Sequence, residues 1–385
     1  MRQNPFSIRA FAARFRSPSA WINLLLVFVP IAIVVELLHG DPTILFITSA
    51  LGIVPLAGLL GEATDALSVK AGDQIGGLLN ATLGNAAELI ITIVALQAGL
   101  LDVVKASITG SILGNLLLVL GLSLLAGGLK NGTQFFDRRG ISVMMTTMTI
   151  AIIGLVIPTM FSSAIEAVNH NAVEYLSIGV AVALMASYIL SLFFTLRGKP
   201  KSDEIAHAEE VSAAPHHHGP LSNLRIALAV LAVAVVLIAF LSEILVGAVE
   251  PLIQAQGLSE LFVGVIIVPI IGNAAEHLVA VEMALKNRME LSIGIAVGSS
   301  LQIALFVAPV LVFIALLFGQ QLTLVFNQFE IAALIAAVLI TALIALDGES
   351  NWLEGAQLLI VYVILAIAFF FLPNLAAGAH ALFTR

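Results

Sequence analysis

Between Ile226 and Leu241 the chain reads IALAVLAVAVVLIAFL, and apolar runs of this kind recur along its whole length. A run of about 18 or more such residues spans a bilayer as a helix, because lipid offers no partner to the peptide groups and only intrahelical hydrogen bonds satisfy them. Hydrophobic windows place eleven spans at about 21–38, 44–68, 72–98, 102–127, 141–160, 172–196, 224–249, 260–285, 291–318, 328–346 and 354–373. The composition agrees. Of the 385 residues 60% are hydrophobic and 10% charged, against about 25% charged in soluble domains. The expected fold is an all-α polytopic membrane protein. There is no cysteine, which excludes disulfides and thiolate metal sites.

With the N-terminus in the cytoplasm, every Lys and Arg except Lys105 and Arg385 falls on the inside, a strong positive-inside bias. The odd span count then puts the C-terminus outside. Residues 1–20 read as a basic cytoplasmic tail in preference to a transit peptide. Residues 197–223 hold the one long polar stretch and divide the spans into two groups.

GNAAELI at 84–90 returns as GNAAEHL at 272–278. At the same spacing GSIL (110–113) answers GSSL (298–301); more weakly, and at a spacing ten residues shorter, TDAL (64–67) answers SEIL (242–245). The second copy lies five spans after the first, so they run in opposite directions across the membrane. The chain thus reads as an extra first helix (21–43), one five-helix repeat (44–196), the linker (197–223), an inverted five-helix repeat (224–375) and a tail (376–385). Inverted repeats mark secondary transporters that bind substrate near the midplane.

Each copy carries an acid, Glu88 and Glu276, well inside its span. A lone carboxylate at that depth is costly unless protonated, paired or bound to a cation. Lys and Arg stand only at span ends and in loops, so a proton or a metal ion must neutralise the charge. Asn85 and Asn273 lie three residues before these acids, on the same helix face. In the following spans Ser111 shares a face with Asn115, and Ser299 with Gln302. Gly84 and Gly272 are expected to weaken their helices and free carbonyl oxygens. An all-oxygen donor set suits Ca²⁺, whereas zinc and copper favour His and Cys. Small residues such as Gly84, Ala86 and Ala87 would also serve plain helix packing, but a duplicated motif with an unpaired acid in each copy favours a cation site.

Other residues leave two readings open. Asp65 and Glu243 stand near span ends, as solvated interfacial acids or as proton-relay or gating carboxylates. His277, where the first copy has Leu89, is a proton-coupling imidazole or an ordinary hydrogen-bonded histidine. The 201–218 segment, with Asp203, Glu204, Glu209, Glu210 and His216–His218, is a solvated loop or an ion-sensing one.

The stretches GGLLNATLGNAAELI (76–90) and GSILGNLLLVLG (110–121), with GVIIVPIIGNAAEHLVAV (264–281) and GSSLQIALFVAP (298–309), resemble the Ca²⁺/H⁺ exchangers of the cation/Ca²⁺ exchanger superfamily. The resemblance covers essentially the whole chain. It implies Ca²⁺/H⁺ antiport by alternating access, with Ca²⁺ as transported substrate and no cofactor. Glu88 and Glu276 would carry Ca²⁺ and protons in turn, and Asn85, Asn273, Ser111, Ser299 and Gln302 would line the site. Asp65 and Glu243 fall where the family has further acids. A Na⁺-driven Ca²⁺ exchanger and a Na⁺(K⁺)/H⁺ antiporter of the same fold remain alternatives. An intramembrane hydrolase is disfavoured, because no HExxH motif and no Ser/Lys pair lies within the spans. The expected partners are Ca²⁺, H⁺ and the bilayer, with no nucleic acid and with homo-oligomerisation left open. The plain N-terminus and short loops point to a bacterial plasma membrane.

Overall fold

The structure, a computed structural model, describes residues 22–167, 172–197 and 223–372. The 1–20 tail, the 201–218 segment and the 376–385 tail lie outside the described residues.

The described chain is almost entirely helical. Its helices are α1 (Leu24–Leu37), α2 (Pro42–Ala71), α3 (Asp73–Leu83), α4 (Ala86–Gln97), α5 (Leu101–Asn131), α6 (Arg138–Glu166), α7 (Ala172–Arg197), α8 (Leu224–Gln256), α9 (Glu260–Leu285), α10 (Met289–Leu317), α11 (Gln328–Ile344) and α12 (Trp352–Phe371). Eight of these are long and apolar enough to cross a membrane: α2, α5–α10 and α12. Three other apolar segments, α1, α4 and α11, are shorter. The 72–98 segment, read from sequence as a single span, is two helices. They meet at Gly84 and Asn85, where Asn85 leaves helical geometry (φ −100°, ψ 29°).

Local sequence explains where the helices begin. Asp41 caps α2 through Thr43 N–H (2.8 Å), with Pro42 in the first turn. Asp137 caps α6 in the same way. Asn327 with Glu330, and Asn351 with Glu354, form reciprocal capping boxes at α11 and α12. Gly72 and Gly257, at φ 79° and 65°, supply the left-handed residues that end α2 and α8.

The packing is crossed. The helix pair α2–α8 forms the most extensive contact, α2 also packs on α9, and α8 packs on α4. Helix α5 is the most deeply enclosed and lies against α9 and α12. Small residues set these distances. A Cβ on Gly110 would overlap the Val265 carbonyl, and one on Gly355 would overlap the backbone of Leu125. Close backbone approach is how helices gain dispersion contact in lipid. The outward faces of α8, α11 and α12 carry exposed Val233, Val236, Leu339, Leu343, Ile364 and Ile367.

Two features go beyond the all-helical expectation. A two-stranded antiparallel sheet joins β1 (Gln134–Phe135) to β2 (Glu349–Ser350), tying the α5–α6 loop to the α11–α12 loop. Buried Gln134 anchors it by donating to the Ala284 carbonyl (3.0 Å) and to Asn287 Oδ1 (2.9 Å). In addition, α5, α9 and α10 each contain a widened turn with i→i+5 hydrogen bonding, at Gly114–Val119, Val263–Ile267 and Ile303–Val307. Such bulges shift the register of the side chains that follow and concentrate at functional sites.

Candidate ion-binding site

The two GNAAE segments meet in the interior, and each glycine admits a residue from the other half. A Cβ on Gly272 would come within 3.1 Å of Glu88 Cγ and 3.2 Å of Glu88 Oε1. One on Gly84 would lie 3.4 Å from Gln302 Oε1. The expected weakening of the helix occurs only in the first copy. In the second, the helix runs unbroken from Val268 to Leu285, with Pro269 accommodated in its first turn directly after the widened segment. Gly272 therefore serves close approach, not a break.

The hydrogen bonds also cross between the halves. Asn85 Nδ2 donates to Gln302 Oε1, and Ser299 Oγ donates to Asn85 Oδ1 at 3.0 Å. Asn273 Nδ2 donates to Ser111 Oγ (3.3 Å) and to the Pro269 carbonyl (3.1 Å). Asn85, Glu88, Ser111, Asn273 and Ser299 are all buried, with Glu88 6% exposed, and Glu276, Gln302 and His277 are partly so. Glu276 lies beside the Ser299 hydroxyl and close enough to Glu88 for their charges to interact.

Several buried polar atoms in this cluster have no partner: Asn273 Oδ1, Glu276 Oε2, Asn115 Nδ2 and His277 Nε2. A buried acceptor without a donor is costly, and Asn273 Oδ1 with the Glu88 and Glu276 carboxylates leaves oxygen atoms here that a cation would satisfy. Among the described residues no basic side chain pairs with Glu88 or Glu276. Lys105 pairs with Asp102 and Lys286 with Glu282, both near helix ends. Among the described residues no group of three or more His, Cys, Asp or Glu side chains could hold a metal. The oxygens gathered here belong to two carboxylates and to amide and hydroxyl groups, a chemistry that suits a hard ion.

The secondary candidates separate. Asp65 on α2 is half-buried and interacts electrostatically with Glu276. Glu243 on α8 is exposed, and no hydrogen bond or ion pair joins it to the cluster. The sequence reading missed Thr92 and Ser107. With Glu88, Ser111, Ile108, Ile303 and Val307 they line a small open pocket of about 10 Å³ between α4, α5 and α10. The signal was present: Thr92 follows Glu88 by one helical turn, and Ser107 precedes Ser111 by one.

The family model for the sodium/calcium exchanger protein matches residues 42–197 and 226–371, nearly all of the described helices. The chain belongs to this family. Among its relatives, the Ca²⁺/H⁺ antiporter of Aphanothece halophytica is 43% identical over 357 residues, covering 91% of this chain and 96% of the relative. The Ca²⁺/H⁺ antiporter ChaA of Bacillus subtilis (strain 168) is 45% identical over 348 residues, covering 89% and 97%. Among solved structures, native YfkE superimposes with a TM-score of 0.79 at 42% identity, over 91% of this chain and 100% of that one. The family's matched region takes in both GNAAE segments and the serine-bearing turns of α5 and α10.

Proposed function

We propose that the chain is a Ca²⁺/H⁺ antiporter that moves Ca²⁺ against protons by alternating access. The observation that carries this reading is the pair of buried carboxylates, Glu88 and Glu276, drawn from the two GNAAE segments. They stand near each other, no basic residue among the described ones pairs with either, and Glu276 Oε2 and the neighbouring Asn273 Oδ1 have no partner. The antiport activity named for the relatives at 43% and 45% identity supports it.

On the loading side both glutamates are ionised, and their combined charge balances one Ca²⁺. Asn273, Ser111, Ser299, Asn85 and Gln302 orient the carboxylates and supply further oxygens. On the opposite side protons displace the ion by neutralising the same carboxylates. The empty, doubly charged site crosses poorly, because two unneutralised carboxylates at membrane depth each cost on the order of 2.5–3.5 kcal/mol. That penalty couples the two fluxes. Asp65, beside Glu276, and His277 are the candidates for carrying protons to the site. Glu243 retains at most a role at the membrane surface.

Eleven crossings in two inverted five-helix repeats, with a cytoplasmic N-terminus and a bacterial plasma-membrane location, complete the reading. The repeat is supported by matched turns. Gly99 between α4 and α5 and Asn287 between α9 and α10 both take left-handed backbone, at φ 80° and 59°. The widened turns of α5 and α10 likewise fall just after the corresponding serines, Ser111 and Ser299.

The alternative driving ion, Na⁺, is separated by one experiment. In proteoliposomes an imposed ΔpH should drive ⁴⁵Ca²⁺ movement, and a Na⁺ gradient at constant pH should not. Ca²⁺ flux driven by Na⁺ alone would overturn the proton-coupled assignment.

A further inference from the structure

Helix α6 turns a polar stripe outward. Arg138, Ser142, Thr146 and Thr149 follow one another at intervals of four, four and three residues, which puts them on one side of the helix, and all four are exposed. Val143 and Ile150 of α6 and Leu343 of α11 are exposed apolar side chains on the same two helices, suited to lipid contact. The stripe borders a groove. With Met145 of α6, and with Ala342, Ala345 and Leu346 from the end of α11 and just beyond, it lines an open space of about 190 Å³, roughly ten times or more what a single water needs. At the opposite end of this helix pair the gap is closed, where Phe326 N–H donates to Thr159 Oγ1 on α6 (2.9 Å).

The mouth of the groove carries both signs of charge. Arg138 opens α6, at the end that the positive-inside bias assigns to the cytoplasm, and among the described residues no acid forms an ion pair with it. Asp137 directs both its oxygens to the capped N–H groups of Arg139 and Gly140. After Leu346 the chain continues through Asp347, Gly348 and Glu349, and a Cβ on Gly348 would lie 3.3 Å from Arg138 Cβ. Both of these acids are exposed. Polarity falls along the groove from there. Thr146 Oγ1 donates to the Ser142 carbonyl (2.8 Å) and Thr149 Oγ1 to the Met145 carbonyl (2.8 Å), so their protons are used within the helix and hydrocarbon can lie against them. From Arg138 to Thr149 the stripe descends about 16 Å along the helix, about half the thickness of the hydrocarbon core.

We propose that the α6–α11 groove is a binding site for a zwitterionic aminophospholipid, with the lipid phosphate on Arg138, its ammonium against Asp347 and Glu349, and its glycerol and upper acyl chain along Thr146, Met145, Ala342 and Ala345. A guanidinium matches a phosphate in charge and in hydrogen-bond geometry, and basic residues at the mouths of clefts between membrane helices are where lipid headgroups are recognised. The neighbouring acids select among headgroups. A purely anionic headgroup meets their repulsion. A choline headgroup brings positive charge but no N–H to donate to them. A primary ammonium supplies both. The gradient from charge at the mouth to hydrocarbon at depth is that of a phospholipid seated in its leaflet.

The test is native mass spectrometry of the delipidated full chain titrated with phosphatidylethanolamine, phosphatidylglycerol or phosphatidylcholine of matched acyl chains. One phosphatidylethanolamine should bind about tenfold more tightly than either of the others, the scale of one hydrogen bond to a charged group. Arg138→Gln should weaken that binding by about tenfold. Asp347→Asn with Glu349→Gln should erase the preference over phosphatidylcholine and leave phosphate-dependent binding in place. Thr146→Leu, at an exposed position, narrows the groove without touching its charges and should also weaken binding. Soluble phosphoethanolamine should not displace the lipid, because it lacks the part that lies in the groove. Equal or tighter binding of phosphatidylglycerol overturns the proposal, and so does phosphatidylethanolamine binding that is unchanged in both Arg138→Gln and Thr146→Leu. A lipid-free dimer that Thr146→Leu dissociates would assign the groove to a second copy of the chain and overturn it as well.

Discussion

Gly272 shows how much of this site depends on single atoms. The residue has no side chain, and Glu88 occupies the space where one would begin. Gly272→Ala must displace the carboxylate by a few tenths of an ångström, and the expected result is Ca²⁺ affinity reduced by about tenfold with the fold intact, because a liganding constellation tolerates only about 0.5 Å of misplacement. Gly247→Ala on α8, where a Cβ meets nothing within 4 Å, is the matched control and should bind Ca²⁺ as wild type. Unchanged affinity in Gly272→Ala would remove Glu88 from the ion's shell. Glu88→Gln and Glu276→Gln keep the shape and remove the charge, and each should abolish ΔpH-driven ⁴⁵Ca²⁺ flux. At this scale the sequence was most readable. A repeated acid with no basic partner in the spans singled out Glu88 and Glu276, but only Asn273 shares an unbroken helix with its acid, since Asn85 stands at the break before Ala86. What it could not reveal was which glycine breaks a helix and which makes room, since both copies read identically there. The difference comes from the other half of the chain, where Glu88 packs on Gly272.

Elements are held here by caps at their ends and by glycines at their crossings. Asn351 accepts from Leu353 and Glu354 N–H, while Glu354 returns a bond to Asn351 N–H. Asn351→Ala should lower unfolding stability by about 1 kcal/mol, read as a lower Tm in detergent, without changing Ca²⁺ affinity. An affinity change would mean that α12 touches the site more directly than its contacts indicate. Gly110→Ala has a heavier consequence, because the new methyl would overlap the Val265 carbonyl and force α5 from α9. Loss of folded protein is expected, and a fully folded, active variant would contradict the packing. Hydrophobic windows located most of these helices closely, but ended α6 and α8 six and seven residues early. They could not distinguish one span from two half-helices at Gly84 and Asn85, nor detect widened turns, because apolar periodicity is indifferent to the loss of a single hydrogen bond. The β1–β2 pairing was equally invisible: two residues carry no alternation, and their meeting depends on Gln134 reaching Ala284 and Asn287.

For the whole molecule, inversion of the two halves is the claim with the widest consequences. The absence of cysteine makes it directly testable, since any introduced thiol is unique. Ala98 and Lys286 occupy matching positions in the α4–α5 and α9–α10 turns, and both are exposed. Ala98→Cys should react with an impermeant maleimide from outside the cell, and Lys286→Cys only in everted vesicles. Labelling of both from one side would refute the inverted arrangement. The pairing TDAL with SEIL was the weakest part of the repeat as read from sequence. Asp65 faces Glu276 while Glu243 faces away, so correspondence in sequence did not carry correspondence in environment.

The central claim is that one pair of carboxylates holds either Ca²⁺ or protons. Proton release on Ca²⁺ binding tests it most directly, measured with a pH indicator on purified protein in weak buffer. At a pH where the carboxylates are partly protonated, Ca²⁺ should displace protons from the wild type. Affinity should fall as pH falls, because the protonated acids have lost the charge that attracts the ion. Glu88→Gln and Glu276→Gln should each release fewer protons. Ca²⁺ binding without proton release, or release unchanged in both variants, would contradict the account.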